Sequence, residues 1–123
     1  MSVLSRSEYQ IMCYFYELNQ SLTKHELLEI LPELNKNTTA AVISSLLNKG
    51  YLTVAEIKYS QNVLARAYRP SISYVDFIKD EYGEVVVEKL VNHAVSSLNT
   101  KQQTEYFLNL IKERKNAINN NGF

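Results

Sequence analysis

A chain of 123 residues can bury enough surface for one compact domain, or for a small domain with an oligomerisation appendage. Its 46% hydrophobic and 21% charged residues are ordinary globular composition, which excludes a disordered or fibrous chain. The 13 basic and 13 acidic side chains cancel, so a nucleic-acid partner would have to be held by a local surplus of cations rather than by net charge.

No run approaches the roughly 18 consecutive apolar residues of a membrane span. The start, MSVLSRSEY, lacks a basic-then-apolar secretory pattern, and the expected location is the cytoplasm. The single cysteine, Cys13, cannot close an intrachain disulfide and fits a reducing compartment. It lies off the centre of its helix's apolar stripe and reads as a small, half-buried hydrophobe rather than a redox or metal group.

Ser5-Arg-Ser-Glu8 has capping-box spacing, with Ser7 to Gln10 as a second register, and predicts a first helix beginning near Ser5 to Ser7. Leu4, Ile11, Met12, Phe15 and Leu18 form its buried stripe, and Asn19-Gln20 ends it. Ser21-Leu22-Thr23 predicts a short strand. Thr23-Lys-His-Glu26 is a second capping box, opening a helix through Leu27, Leu28, Ile30 and Leu31 that Pro32 stops. His25, in the first turn of that helix, has no His or Cys at ligand spacing and reads as a surface histidine, not a metal ligand.

Either Asn35 or Asn37 can cap a third helix. Thr39, Val42, Ile43, Leu46 and Leu47 make its inward face. Thr38, Ala40, Ala41, Ser44, Ser45 and Asn48 are left outward, a small polar surface that can come close to a major groove or simply be solvated. Lys49-Gly50 supplies a favourable C-terminal charge and a C′ glycine. The period then switches to two: Leu52, Val54, Ile57 and Tyr59 are strand formers, with a slip at Ala55-Glu56 that predicts a bulge. Ser60-Gln61-Asn62 is a turn, and Val63 to Tyr68 returns as the second arm of a hairpin. Three helices followed by a hairpin read as a recognition helix and its wing, and so as a DNA-binding transcriptional regulator. Between Thr38 and Pro70, four cations (Lys49, Lys58, Arg66, Arg69) face one acid, Glu56, which places positive charge on that unit. Surface strands carry such charges for solubility as well.

Pro70 reads as a boundary, dividing a winged-helix domain over 1–70 from a helical region over 71–123. Val75, Ile78, Tyr82, Val86, Leu90, Ala94 and Leu98 continue a helical stripe, with Gly83 as a break. Thr100-Lys-Gln-Gln103 is a third capping box, and Tyr106, Phe107, Leu110, Ile111 and Ile118 carry the stripe of a final helix. Asn119 to Phe123 reads as a frayed tail. These helices are too few to enclose a core of their own, so they are expected to pack on a second copy through Val86, Leu90, Leu98, Phe107, Leu110 and Ile111. The alternative is that they fold back over the N-terminal domain. The fold class is then mainly α with a small β-hairpin wing: an N-terminal winged helix-turn-helix domain plus a C-terminal helical dimerisation region.

LSRSEYQIMCYFYEL, TKHELLEILPE, TTAAVISSLLNKGYL and ARAYRPSIS followed by a helical tail together resemble the penicillinase-repressor family, the BlaI/MecI/CopY transcriptional repressors. The likeness covers nearly the whole chain, and SEYQIM, LLNKGYL and AYRPSIS carry it. It implies a dimeric winged-helix repressor on a palindromic operator of double-stranded DNA, reading bases through Thr38, Ala40, Ala41 and Ser45. The sequence departs from the family, which often has Lys at the position of Ala40 and Arg at that of Ser45, and each lost base contact is worth about 1–3 kcal/mol. Phosphate binding is therefore expected to move to Lys49, Lys58, Arg66 and Arg69, leaving Thr38, Ser44 and Ser45 to shape base readout, with Asn37 also at the DNA-binding face.

Two triggers familiar in the family are missing. The Asn-Phe dipeptide cut by a sensor protease is replaced by Asn92-His93-Ala94, and no paired Cys motif stands near the C-terminus, so the inducer or sensor partner is not specified. The competing reading is a winged-helix protein-interaction module that has shed its DNA face. An enzyme is not expected: there is no Gly-rich phosphate loop, nucleophile elbow or zinc-type cluster, and no cofactor or metal is called for.

Overall fold

The structure, a computed structural model, describes residues 3–60 and 62–120. Helix α1 (Arg6–Leu18) uses the first of its two capping registers: the Glu8 N–H donates to Ser5 Oγ at 3.2 Å and the Ser5 N–H donates to Glu8 Oε1 at 2.7 Å. Asn19, at φ 51, closes it in the left-handed conformation that asparagine tolerates. Strand β1 (Leu22–Thr23) leads into α2 (Lys24–Ile30), where Thr23 and Glu26 form the second capping box. Asn35 rather than Asn37 caps α3 (Lys36–Asn48), its Oδ1 accepting the N–H groups of Asn37 and Thr38 at 2.9 and 3.0 Å.

Gly50, at φ 82, turns the chain out of α3 into the hairpin of β2 (Leu52–Ser60) and β3 (Val63–Pro70). Asn62 sits at φ 65 in the turn, while Gln61 lies outside the described residues. The sheet is antiparallel in the order β1-β3-β2, so β3 is central, pairing Leu22 with Tyr68 on one side and Val54 with Tyr68 on the other. The register slips between Val54 and Glu56, where the alternation of the sequence breaks.

The core gathers one or more side chains from every element placed so far. Ile11, Met12 and Phe15 come from α1, Leu22 from β1, Leu27 from α2, Val42, Ile43 and Leu46 from α3, Leu52 from β2 and Ala67 from β3, all buried. Helix α4 (Tyr74–Tyr82) adds Phe77, which is fully buried. The stripe expected through Val75 is displaced: Val75 is 55% exposed, and Phe77 takes the inward position. Its ring lies 5.6 Å from that of Tyr9, 5.2 Å from Tyr16 and 6.4 Å from Tyr51. Tyrosine hydroxyls add polar ties to the same helix, Tyr51 donating to Asp80 at 2.6 Å and the Tyr9 and Tyr82 hydroxyls lying 2.9 Å apart.

These contacts hold α4 to the winged helix, so the chain divides into Met1–Tyr82 and Gly83–Phe123, and the boundary expected at Pro70 falls at Gly83. Gly83, at φ 93, separates α4 from α5 (Glu84–Ser96), and α6 (Lys101–Asn120) follows. Thr100 Oγ1 accepts the Gln103 N–H at 3.1 Å, but Gln103 reaches back to the Asn99 N–H instead of closing the box on Thr100. Asn119 and Asn120 belong to α6 rather than to a frayed tail, and 121–123 lie outside the described residues. In this second unit Val86, Leu90, Phe107, Leu110 and Ile111 are exposed and Leu98 is half-buried.

Candidate nucleic-acid interface

Helices α2 and α3, joined by the turn through Pro32, present α3 with its small residues outward. Asn37, Thr38, Ala41 and Ser44 are exposed; Ala40 and Ser45 are half-buried. Two depressions flank that face. One, of about 400 Å³, runs between the start of α2 and β3 and is lined by Lys24, His25, Ala40, Ser44, Leu47, Arg66 and Tyr68, among others. The other, of about 500 Å³, lies toward the start of α1 and is lined by Ser5, Glu8, Asn37, Thr38, Ala41, Val42 and Ser45. The short side chains at 40, 41, 44 and 45 leave the α3 backbone close to whatever lies against it.

The four cations that the sequence groups together do not lie together. Lys49 turns back to α1, its Nζ 2.8 Å from Glu8 Oε1 and 3.0 Å from the Val3 carbonyl. Ser45 donates to the other oxygen of the same carboxylate at 2.6 Å, so its hydroxyl points into the fold. Burial of Glu8 works against its charge, but the hydrogen bonds from Lys49, Ser45 and Ser5 together outweigh burial and lower the carboxyl to about 2. Lys58 is likewise engaged, 2.9 Å from Glu26 and 3.1 Å from the Ser21 carbonyl. Burial opposes the charge on Glu26 too, and the Thr23 N–H and Lys58 overcome it, holding the carboxyl below its ordinary value.

Arg66 and Arg69 are three positions apart on one strand, and side chains alternate faces with a period of two. Arg66 accordingly lines the groove beside α3, whereas Arg69 lines a separate cavity against α1. Lys24, which the sequence reading passed over, stands with Arg66 at the groove, and neither is in an ion pair among the described residues. The signal for Lys24 was present: it is the first residue of a capped helix that precedes the outward-facing one. His25 lines the same groove, with Nε2 2.6 Å from Glu29.

Helix, helix, turn, helix and a hairpin packed beside them define a winged helix-turn-helix. The chain belongs to the penicillinase repressor family, whose family model matches residues 4–115. That family is one of DNA-binding transcriptional regulators. None of the curated proteins compared with the chain matches it. Among the described residues no helix is long and apolar enough to cross a membrane.

Proposed function

We propose that the protein represses transcription by occupying a two-fold-symmetric operator as a homodimer, with α3 in the major groove. The observation that carries this reading is the groove between α2, α3 and β3, where the small outward face of α3 is flanked by the uncommitted cations Lys24 and Arg66. Asn37, Thr38, Ala41 and Ser44 would meet base edges or phosphates, and the exposed apolar residues of α5 and α6 would join two copies. Symmetry then requires half-sites spaced by about 10 bp or a multiple of it.

Selection from a random duplex pool tests this directly: the bound fraction should converge on a dyad, and a pool that stays random at moderate salt would overturn the reading. The cations sort into two groups. Lys24→Ala and Arg66→Ala should each weaken binding uniformly across sequences and lower the salt slope by about one. Lys49→Ala and Lys58→Ala should instead lower stability, because their charges are met by Glu8 and Glu26 inside the fold.

A second reading, a protein-interaction module, draws on the apolar wing, where Ile57 is 56%, Tyr59 76% and Leu64 61% exposed. On that reading Arg66→Ala would leave partner binding and its salt dependence unchanged.

A further inference from the structure

Within the winged-helix unit, on the far side of β3 from the α3 groove, lies a cavity of about 760 Å³. It falls within the size range of small-molecule sites, roughly 300–1,000 Å³. Part of its wall is aromatic and set by the fold. Phe15 is buried in the core beneath it, and the Tyr16 and Tyr74 rings stand 5.2 Å apart at 57°. Tyr16 is anchored by its hydroxyl, which donates to the Ile72 carbonyl at 2.8 Å.

Two opposite charges line the same space, Arg69 on β3 and Glu17 in the last turn of α1. Both are exposed, and among the described residues neither is in an ion pair with the other or with any third group. Both are mounted on regular elements, Arg69 in register with Thr53 of β2. A ligand carrying only a carboxylate would match Arg69 and meet a like charge at Glu17. One carrying only an ammonium would do the reverse. A molecule bearing both, with an apolar body for the aromatic walls, satisfies every group at once.

We propose that this cavity binds a small zwitterion with an apolar side chain, a free amino acid or a dipeptide. Arg69 takes the carboxylate through its planar fork of N–H donors, Glu17 takes the ammonium, and the side chain lies against Tyr16 and Tyr74. Polar groups at the rim, Asn19 and Ser73, remain for the ligand's peptide or water-mediated hydrogen bonds.

Calorimetric titration of the full chain tests the proposal with four probes: L-phenylalanine, L-alanyl-L-phenylalanine, 3-phenylpropionate and phenethylamine. At least one of the two zwitterions should bind about 10-fold or more tighter than both singly charged analogues, the size expected for one charge-assisted hydrogen bond. Which zwitterion wins tells amino acid from dipeptide. Arg69→Gln should abolish the preference over phenethylamine, and Glu17→Gln the preference over 3-phenylpropionate. Both side chains are exposed, so each variant should keep the parent's circular dichroism. Equal binding of the singly charged probes, retention of the preference in either variant, or no binding of any probe at about 10 mM would overturn the assignment. The readout uses no DNA, so its outcome is separate from that of the operator reading.

Discussion

Glu8 shows how a single side chain changes the meaning of its partners. It caps α1, and it also holds Ser45 of α3 and Lys49 just after that helix, two residues that a linear reading assigns to DNA. With its folded value near 2 against an ordinary 4.5, Glu8 contributes stability that is fully present above about pH 4.5 and drains away as pH falls toward 2. Urea unfolding followed from pH 6 down to pH 2.5 should therefore show a steep acid-side loss in the parent and a flatter one in Glu8→Gln, which starts from lower stability. Parallel curves would show that the carboxylate is not the group responsible. None of this is visible in the chain order, because Glu8 and Lys49 meet only after α1 and α3 have packed. A lysine three residues before a strand and a serine on an outward helix face look free until the fold supplies their acid.

At the scale of elements, local chemistry reads well and non-local burial reads less well. The boxes at Ser5 and Thr23 and the asparagine before α3 mark helix starts that the structure keeps, because each needs only its own neighbours three residues on. Asn35→Ala should cost about 1 kcal/mol in chemical denaturation, whereas Asn37→Ala should cost little, since Asn35 alone caps the helix. The bulge at Val54/Glu56 was legible for the same reason.

Helix α4 was not. Its nine residues, YVDFIKDEY, span too few turns for periodicity to choose between a stripe through Val75 and one through Phe77. The choice falls to Phe77 because its ring finds those of Tyr9, Tyr16 and Tyr51, contacts that α1 and the residue just before β2 bring from far along the chain. Phe77→Ala should cost about 3–5 kcal/mol. Val75→Ala should stay within about 0.5 kcal/mol as a surface change. Comparable losses at the two positions would mean that α4 is not docked as described. The same packing moves the end of the first compact unit from Pro70 to Tyr82 and makes α4 part of the winged helix rather than the start of an appendage.

For the molecule as a whole, what matters is how a chain with no net charge and a cation-poor recognition face holds a duplex. With Lys49 and Lys58 in ion pairs within the fold, Lys24 and Arg66 are left at the groove, and on the proposed operator they would make a small electrostatic contribution for one half-site. In the proposed dimer, two linked half-sites would offset that weakness, since the second would bind at an effective concentration set by the linkage, in the millimolar range for short connections. The apolar residues of α5 and α6 would supply such a link: Leu110 is 43% and Ile111 63% exposed, a burial deficit that a second copy would remove. Leu110→Glu or Ile111→Glu should therefore shift the sedimentation coefficient from dimer to monomer. The same change should lower affinity for a full dyad by about 100-fold or more while leaving affinity for an isolated half-site unchanged. Because each residue is already exposed within one copy, the substitution should spare the winged-helix unit, whose denaturation midpoint serves as the control. A monomeric variant that keeps the parent's affinity for the dyad would separate operator binding from pairing and require the single winged helix to supply it alone.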